Sequence, residues 1–145
     1  MKNSQIILIV LILLFTSACA SQETASSKFC SYRNEELYYE ITLTYENDII
    51  TKKTAKTDID YIAKGMSKEI FEASLATQQG DKLNEYTGVT FKSYFKDALY
   101  HESLTIDFKK ISEEDLISLG YSVNDDFYSL SKNIKAYEEQ GATCK

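Results

Sequence analysis

The sequence predicts an α+β fold, a roughly four-stranded antiparallel sheet made of two hairpins and packed on one face by two to three helices. Three observations predict it. Two stretches alternate apolar and polar residues, segments with helical spacing lie between and after them, and the chain has eleven Tyr and seven Phe but no Pro. A period of two is typical of half-buried strands, and aromatic residues favour strands.

Two hairpins form the predicted sheet. The four predicted strands are 37–45, 49–54, 89–95 and 100–108. In the first strand, Leu37, Tyr39, Ile41, Leu43 and Tyr45 fall on one face, which predicts that this face is buried. Glu46-Asn47-Asp48 supplies turn-forming side chains to the first hairpin, and residues 96–98 form the turn of the second.

Three segments have helical spacing or helix-capping residues. The three predicted helices span residues 67–80, 112–119 and 131–140. Ser67 and Ser112 are suitable N-caps, and acidic residues follow Ser112 in the first turn of its helix, where they interact favourably with the helix dipole. Gly120 and Gly141 end the second and third helices.

The chain begins with an export signal. One Lys precedes the unbroken apolar run Ile6–Phe15, which is too short to span a membrane because a spanning helix needs about 20 apolar residues. Thr16-Ser17-Ala18-Cys19 then resembles a lipobox, in which the cysteine receives diacylglycerol and becomes the acylated, palmitate-bearing first residue; Thr stands where Leu is usual. Alternatively, Ala18-Cys19-Ala20 fits ordinary secretory cleavage, which would release a protein beginning at Ser21.

These features divide the chain into a signal peptide (1–18), a lipidated Cys19 with a flexible tether (19–28) and one α+β domain (29–145). We expect a lipid anchor in the cell membrane or outer membrane, with the domain facing outside the cytoplasm. The net charge is −6, and −7 without the Lys of the signal. That balance argues against a nucleic-acid partner, because phosphates repel an acidic surface.

Two cysteines remain after Cys19 is assigned to the lipid. Cys30 and Cys144 lie at the two ends of the domain, and an exported protein can keep a disulfide, so we predict that they are paired. Two free thiols are the next alternative. A redox or metal-binding pair is the third, but the spacing is not Cys-x-x-Cys and His101 is the only histidine.

The segment 41–57, Ile-Thr-Leu-Thr-Tyr-Glu-Asn-Asp-Ile-Ile-Thr-Lys-Lys-Thr-Ala-Lys-Thr, resembles the first hairpin of the YehR-like family of small bacterial envelope lipoproteins. The resemblance continues through Tyr86-Thr-Gly-Val-Thr-Phe, through Glu102-Ser-Leu-Thr-Ile-Asp-Phe and into the closing helix. It implies a lipid-anchored α+β domain of unassigned biochemical function, and no catalytic residues come with it. Glu46-Asn47-Asp48 replaces the family's glycine turn, and the cysteine pair is not a general feature of the family.

The residues themselves predict no catalytic, cofactor or metal site. His101 falls on the polar face of its strand, which predicts a solvent-facing side chain, and no Gly-x-Ser-x-Gly nucleophile motif accompanies it. The acids that invite a Ca²⁺ or carboxylate-pair interpretation are Asp107, Glu113, Glu114, Asp115, Asp125 and Asp126. They lack the ordered Ca²⁺-binding loop pattern, so a helix N-terminus and a turn explain them better.

Tyrosines are the feature that could support binding. Tyr38 and Tyr94 are the candidate binding residues, because their amphipathic rings suit contact with an envelope protein, a peptide or a glycan. Ordinary cross-strand packing is the alternative role for these rings. We therefore expect a non-enzymatic binding or accessory module that contacts the membrane through its lipid. The alternative is a small envelope hydrolase that uses two carboxylates converging in a cleft.

Overall fold

The computed structural model describes residues 25–75 and 80–145 as an α+β domain. Its strands are β1 (Ser26–Arg33), β2 (Leu37–Glu46), β3 (Ile49–Ile59), β4 (Val89–Lys96), β5 (Leu99–Asp107) and β6 (Thr143–Cys144). Its helices are α1 (Lys68–Leu75), α2 (Glu113–Ser118), α3 (Leu130–Glu139) and a 3₁₀ helix at Gly80–Glu85. The predicted signal peptide, Cys19 and the far end of the predicted first helix lie outside the described residues.

All six strands form one antiparallel sheet in the order β4-β5-β3-β2-β1-β6. The expectation of four strands was therefore wrong, because β1 and β6 were missed. β1 has the sequence Ser-Ser-Lys-Phe-Cys-Ser-Tyr-Arg, whose small polar start looks like a tether, and β6 is too short to show any period. β1 begins at Ser26, so three residues of the predicted tether are paired in the sheet.

The two predicted hairpins are present with two-residue turns. Asn47 and Asp48 have φ of 56° and 69°, and Asp97 and Ala98 have φ of 52° and 60°. A turn with two positive φ angles matches the right-handed twist of the flanking strands, and Asn and Asp adopt this conformation more readily than other residues with a Cβ. The unusual Glu46-Asn47-Asp48 segment therefore makes a tight turn without glycine.

The three α-helices and the 3₁₀ helix pack on one face of the sheet, which we call the helix face. In β2 the predicted inward positions are the buried ones, with Ile41 and Leu43 at 6% and 0% exposure. α3 covers this part of the core through Leu130 and Ile134, and α2 covers a neighbouring part through Leu116. Ser112 and Ser129 cap α2 and α3 by accepting a bond from the backbone N–H three residues on.

A disulfide joins Cys30 of β1 to Cys144 of β6, with 4.0 Å between the two Cα atoms. The two residues are directly opposite one another in register. Phe29 and Lys145, the next pair along, exchange both backbone hydrogen bonds, so the cysteines occupy the closer, non-hydrogen-bonded type of pair. The bond fixes the last strand to the sheet, and Cys30 is fully buried.

Candidate functional site

The face of the sheet opposite the helices, which we call the open face, presents polar side chains from five strands. One row across it consists of Arg33, Tyr38, Asp58, His101 and Tyr94, which are consecutive register partners on β1, β2, β3, β5 and β4. We call these five residues the distal row. Neighbouring strands are about 4.8 Å apart, so the two tyrosines are separated by about 14 Å.

Three of the four neighbouring pairs in the distal row are in side-chain contact. The Arg33 guanidinium lies 4.5 Å from the centre of the Tyr38 ring, which is the geometry of a cation–π contact. His101 Nδ1 is 2.7 Å from Asp58 Oδ1, and the His101 ring stacks on Tyr94 with centroids 4.9 Å apart. The row therefore places charged and aromatic groups side by side on five adjacent strands.

The row brings together the two tyrosines that the sequence singled out. Tyr94 is 57% exposed and lies on β4, one of the two edge strands of the described sheet. Tyr38 is half-buried and donates a hydrogen bond to Glu40 Oε2 at 3.2 Å; partial burial and this carboxylate raise the pKa of Tyr38. Tyr39 and Tyr45 pack against the core on the helix face instead.

His101 lies on the polar face, as its position in the alternation indicates, but its side chain is only 19% exposed. Asp58 and Tyr94, from the strands on either side, cover it. The sequence did not reveal this pair, because Asp58 and His101 are 43 residues apart and only the β3–β5 register brings them together.

A row of threonine hydroxyl groups lies on the same open face, nearer to the β2–β3 turn than the distal row. Thr42, Thr54, Thr105 and Thr90 form a row across β2, β3, β5 and β4. The hydroxyls of Thr54 and Thr105 are 3.1 Å apart. Between this row and the distal row, Lys56 Nζ contacts Glu40 Oε1 at 3.1 Å. The face thus offers hydrogen-bonding groups of both charges.

A groove on the helix face is lined by residues of the β4–β5 hairpin, α1 and the 3₁₀ helix. Its volume is about 460 Å³. Its apolar walls include Leu75, Leu83, Phe91, Phe95 and Leu104. Gly80 borders it, and a Cβ there would lie 2.6 Å from Phe91 Cε1, so the absence of a side chain leaves room for the Phe91 ring.

Two carboxylates line this groove, and sequence reasoning proposed neither as a site residue. Glu102 is half-buried and accepts hydrogen bonds from the side chains of Thr57 and Tyr100; burial, the largest effect, raises its pKa. Glu72 lies closer to solvent and pairs with Lys68 at 3.4 Å. The signal for Glu102 was available, because it occupies an inward position between Tyr100 and Leu104.

The acids that the sequence did single out are not brought together in the groove. Asp107 pairs with Lys110 at 3.3 Å, Asp126 lies 3.9 Å from Lys132, and Glu113, Glu114 and Asp115 form the first turn of α2. In residues 25–75 and 80–145, no three His, Cys, Asp or Glu side chains are placed to hold a metal ion. These acids fit a helix N-terminus and surface ion pairs.

The fold defines the class of protein first: an antiparallel sheet with helices on one face and a polar open face on the other. The comparisons then define the family. The chain belongs to the family described as "Protein of unknown function (DUF1307)", whose model matches residues 27–143. This family match, with the lipoprotein relatives and the YehR structure described next, confirms the resemblance to YehR-like lipoproteins.

Two curated relatives match most of the length of this chain. An uncharacterized lipoprotein of Listeria monocytogenes is 26% identical over 144 residues, covering 97% of this chain and 93% of the relative. One of Listeria innocua is 26% identical over 118 residues, covering 81% and 76%. The NMR structure of the Escherichia coli YehR protein superposes with a TM-score of 0.67 at 20% identity, covering 85% of this chain and 92% of that one.

A second solved structure, a protein from Streptococcus pneumoniae, superposes with a TM-score of 0.60 at 16% identity, covering 86% of this chain and 87% of the other. At these identities the two structures show the fold alone. The family and the relatives indicate a membrane-anchored envelope lipoprotein. Of the helices in the described part of the chain, none is long and apolar enough to span a bilayer.

Proposed function

We propose that this lipoprotein is a non-enzymatic binding module, held at the membrane by a lipid on Cys19, and that its distal row binds a cell-wall glycan. The single observation behind this is the strip of two tyrosines, an arginine and a carboxylate–histidine pair on a face that no described helix covers. A sugar ring offers an apolar C–H face to an aromatic ring and hydroxyls to planar polar groups.

The position of the row supports this proposal. Ser26, where the sheet begins, pairs with Tyr45 beside the β2–β3 turn, whereas Arg33 lies at the other end of β1. Seven residues at about 3.3 Å each separate them by about 23 Å. A lipid on Cys19 would therefore hold the Ser26 end towards the membrane and direct the distal row away from it.

A depression beside the row supports it further. It has a volume of about 160 Å³ and lies at the strand ends, where Arg33, Tyr38, Asp58 and Leu99 contribute to its lining. Aromatic and arginine side chains beside a concavity are common in binding surfaces. The net charge of the chain is negative, so a hydroxyl-rich glycan suits it better than a polyanion.

The test is sedimentation of the soluble domain with purified cell-wall sacculi. We expect Tyr38→Ala with Tyr94→Ala to lower retention at least tenfold, because both aromatic rings of the row are lost. The matched control, Tyr38→Phe with Tyr94→Phe, keeps both rings and should retain most binding. If the alanine double variant sediments like the unmodified domain, the distal row is not the glycan site.

The carboxylate hydrolase is the second candidate, because the groove is lined by both Glu72 and Glu102. A half-buried carboxyl with a raised pKa is suited to donate a proton, and a second carboxylate is suited to act as base or nucleophile. The assay is release of reducing ends from sacculi by the unmodified domain and by Glu102→Gln. Equal, background-level release from both would remove this candidate.

A further inference from the structure

We propose that the groove on the helix face binds a small organic ammonium ion with an apolar body, and that the ammonium group pairs with Glu102. This site does not depend on the proposed glycan site, because Glu102 and the distal row are on opposite faces of the sheet; Tyr94, at the β4 edge, borders both. Glu102 directly follows His101 in β5, and the side chains of successive strand residues point to opposite faces of the sheet.

The groove has the size and the walls of a small-molecule site. Its volume of about 460 Å³ lies within the range of about 300 to 1,000 Å³ that ligand pockets occupy. Phe91, Phe95 and Leu104 line it from the sheet, and Leu75 and Leu83 line it from the helices. An aliphatic or aromatic body would bury apolar surface against these side chains, at roughly 25 cal/mol per Å².

The charge of the groove selects a cation. Glu72 and Glu102 are the charged residues among its described lining residues, and none of those residues is basic. Glu72 already pairs with Lys68 on the same helix. The partners of Glu102 are the Thr57 and Tyr100 side chains, and burial raises its pKa, so its ionised form lacks full compensation. A bound ammonium ion would supply the missing charge.

Aromatic rings beside Glu102 suit the same ligand. Lys68 Nζ lies 4.9 Å from the centre of the Phe95 ring, so one cation already rests on an aromatic wall of this region. Tyr100 packs against Phe95 and Phe71 with centroids 5.2 and 5.4 Å apart, which holds these rings in place. A carboxylate that shares a groove with aromatic rings can attract an ammonium group by ion pairing and by cation–π contact.

Other ligand classes fit less well. An anion would meet two carboxylates, and a purely apolar molecule would bury Glu102 further without any charge to offset the desolvation. Residues of α1, the 3₁₀ helix and the sheet all line the groove, and its volume suits a small molecule.

The experiment titrates the isotope-labelled domain with phenethylammonium and follows amide chemical shifts by NMR. The neutral analogue phenethyl alcohol and the anionic analogue phenylpropanoate have similar apolar bodies and serve as ligand controls. We expect saturable shifts at Phe91, Phe95 and Leu104 with the ammonium ion, and at least tenfold weaker binding of the other two. Equal affinity of all three ligands, or shifts elsewhere only, would overturn the proposal.

Glu102→Gln is the diagnostic variant, and Glu72→Gln is its matched control. We expect the first to weaken phenethylammonium binding at least tenfold and the second to weaken it less than threefold, because Glu72 is already paired. If Glu102→Gln does not fold, Ser93→Trp gives a second test, since Ser93 lines the groove and a large ring there should fill it. Unchanged binding in either folded variant would contradict the site.

Failure of the ammonium-binding proposal can be distinguished from failure of the glycan-binding proposal. Tyr38→Ala alters the distal row alone and should leave phenethylammonium binding unchanged, whereas Glu102→Gln should leave sacculus binding unchanged. Tyr94 borders both sites and is therefore not used as a control.

Discussion

At the scale of single residues, the hairpin turns place residues with a Cβ in a left-handed backbone conformation, which costs conformational energy. Asp97 and Ala98 both have positive φ, a conformation that places Cβ close to the backbone carbonyl oxygen. Asp can form local hydrogen bonds that offset this strain, but Ala cannot. Glycine, which the sequence lacks at this turn, would remove the strain at position 98.

We therefore expect Ala98→Gly to raise the free energy of unfolding by about 0.5 to 1 kcal/mol, since relief of strain exceeds the added freedom of the unfolded chain. Urea denaturation at neutral pH measures it. Ala73→Gly makes the same chemical change at an exposed position in α1, where we expect a loss of about 1 kcal/mol instead. Two changes of the same sign would show that strain at Ala98 is not the cause.

At the scale of elements, the β2–β3 turn does more than join two strands. Asp48 Oδ1 accepts a bond from the Ser131 amide at 2.9 Å, and Oδ2 accepts from the Ser129 hydroxyl at 2.8 Å. The Leu130 amide donates to the Asp48 carbonyl oxygen, also at 2.8 Å. The turn therefore satisfies free N–H groups at the start of α3 and joins this helix to the sheet.

These bonds make stability depend on pH. The Ser129 hydroxyl and then the Ser131 amide hold the pKa of Asp48 below its ordinary value. A lowered carboxyl pKa adds stability that is fully present above the unfolded-state pKa, near 4, and disappears as the pH falls through the folded-state value. We expect Asp48→Asn to lower Tm at pH 7 and the difference from the unmodified protein to shrink below about pH 4.

Thermal unfolding between pH 7 and pH 2 measures this difference. Asp97→Asn changes the turn aspartate of the other hairpin, where the carboxylate is largely exposed and its ion-pair partner is the adjacent Lys96. Its effect on Tm should be small at every pH. An Asp48→Asn difference that stays constant on acidification would show that the carboxylate charge does not stabilise the α3 start.

At the scale of the whole molecule, one disulfide connects the two ends of the described domain. Cys30 and Cys144 are separated by 114 residues and join the strands at the β1–β6 edge of the sheet. α3 and β6 follow the rest of the sheet in the chain, so the bond returns the last segment to the first strand. Closing so long a loop restricts the unfolded chain far more than the folded one.

We expect Cys30→Ala with Cys144→Ala to lower the free energy of unfolding by about 4 kcal/mol, as measured by urea denaturation. The unmodified domain in reductant should lose a similar amount, while the double variant should not respond to reductant. Intact-mass measurement of the mature protein with and without reductant reports the bond and the lipid on Cys19 together. Equal stability of oxidised and reduced protein would contradict the prediction.

Much of the fold followed from local pattern. Alternation located both hairpins and the buried positions Ile41 and Leu43, the Ser112 cap located the start of α2, and helical spacing placed the start of α3 within one residue. Hydrophobic periodicity and helix capping depend on residues a few positions apart, so both can be recognised in the sequence of a short segment. β1 was missed because its own sequence has no clear strand pattern. Its pairing with β2 and β6 stabilises it as a strand.

The candidate sites divide in the same way. Tyr38 and Tyr94 could be assigned to the polar phase of their strands, and Glu102 to the inward phase of β5, from the residues alone. Strand register decided that Asp58 lies beside His101 between the two tyrosines, and helix placement decided that a groove remains over Glu102. These relations join residues far apart in the chain, and such contacts depend on the packing of the whole domain rather than on any local period.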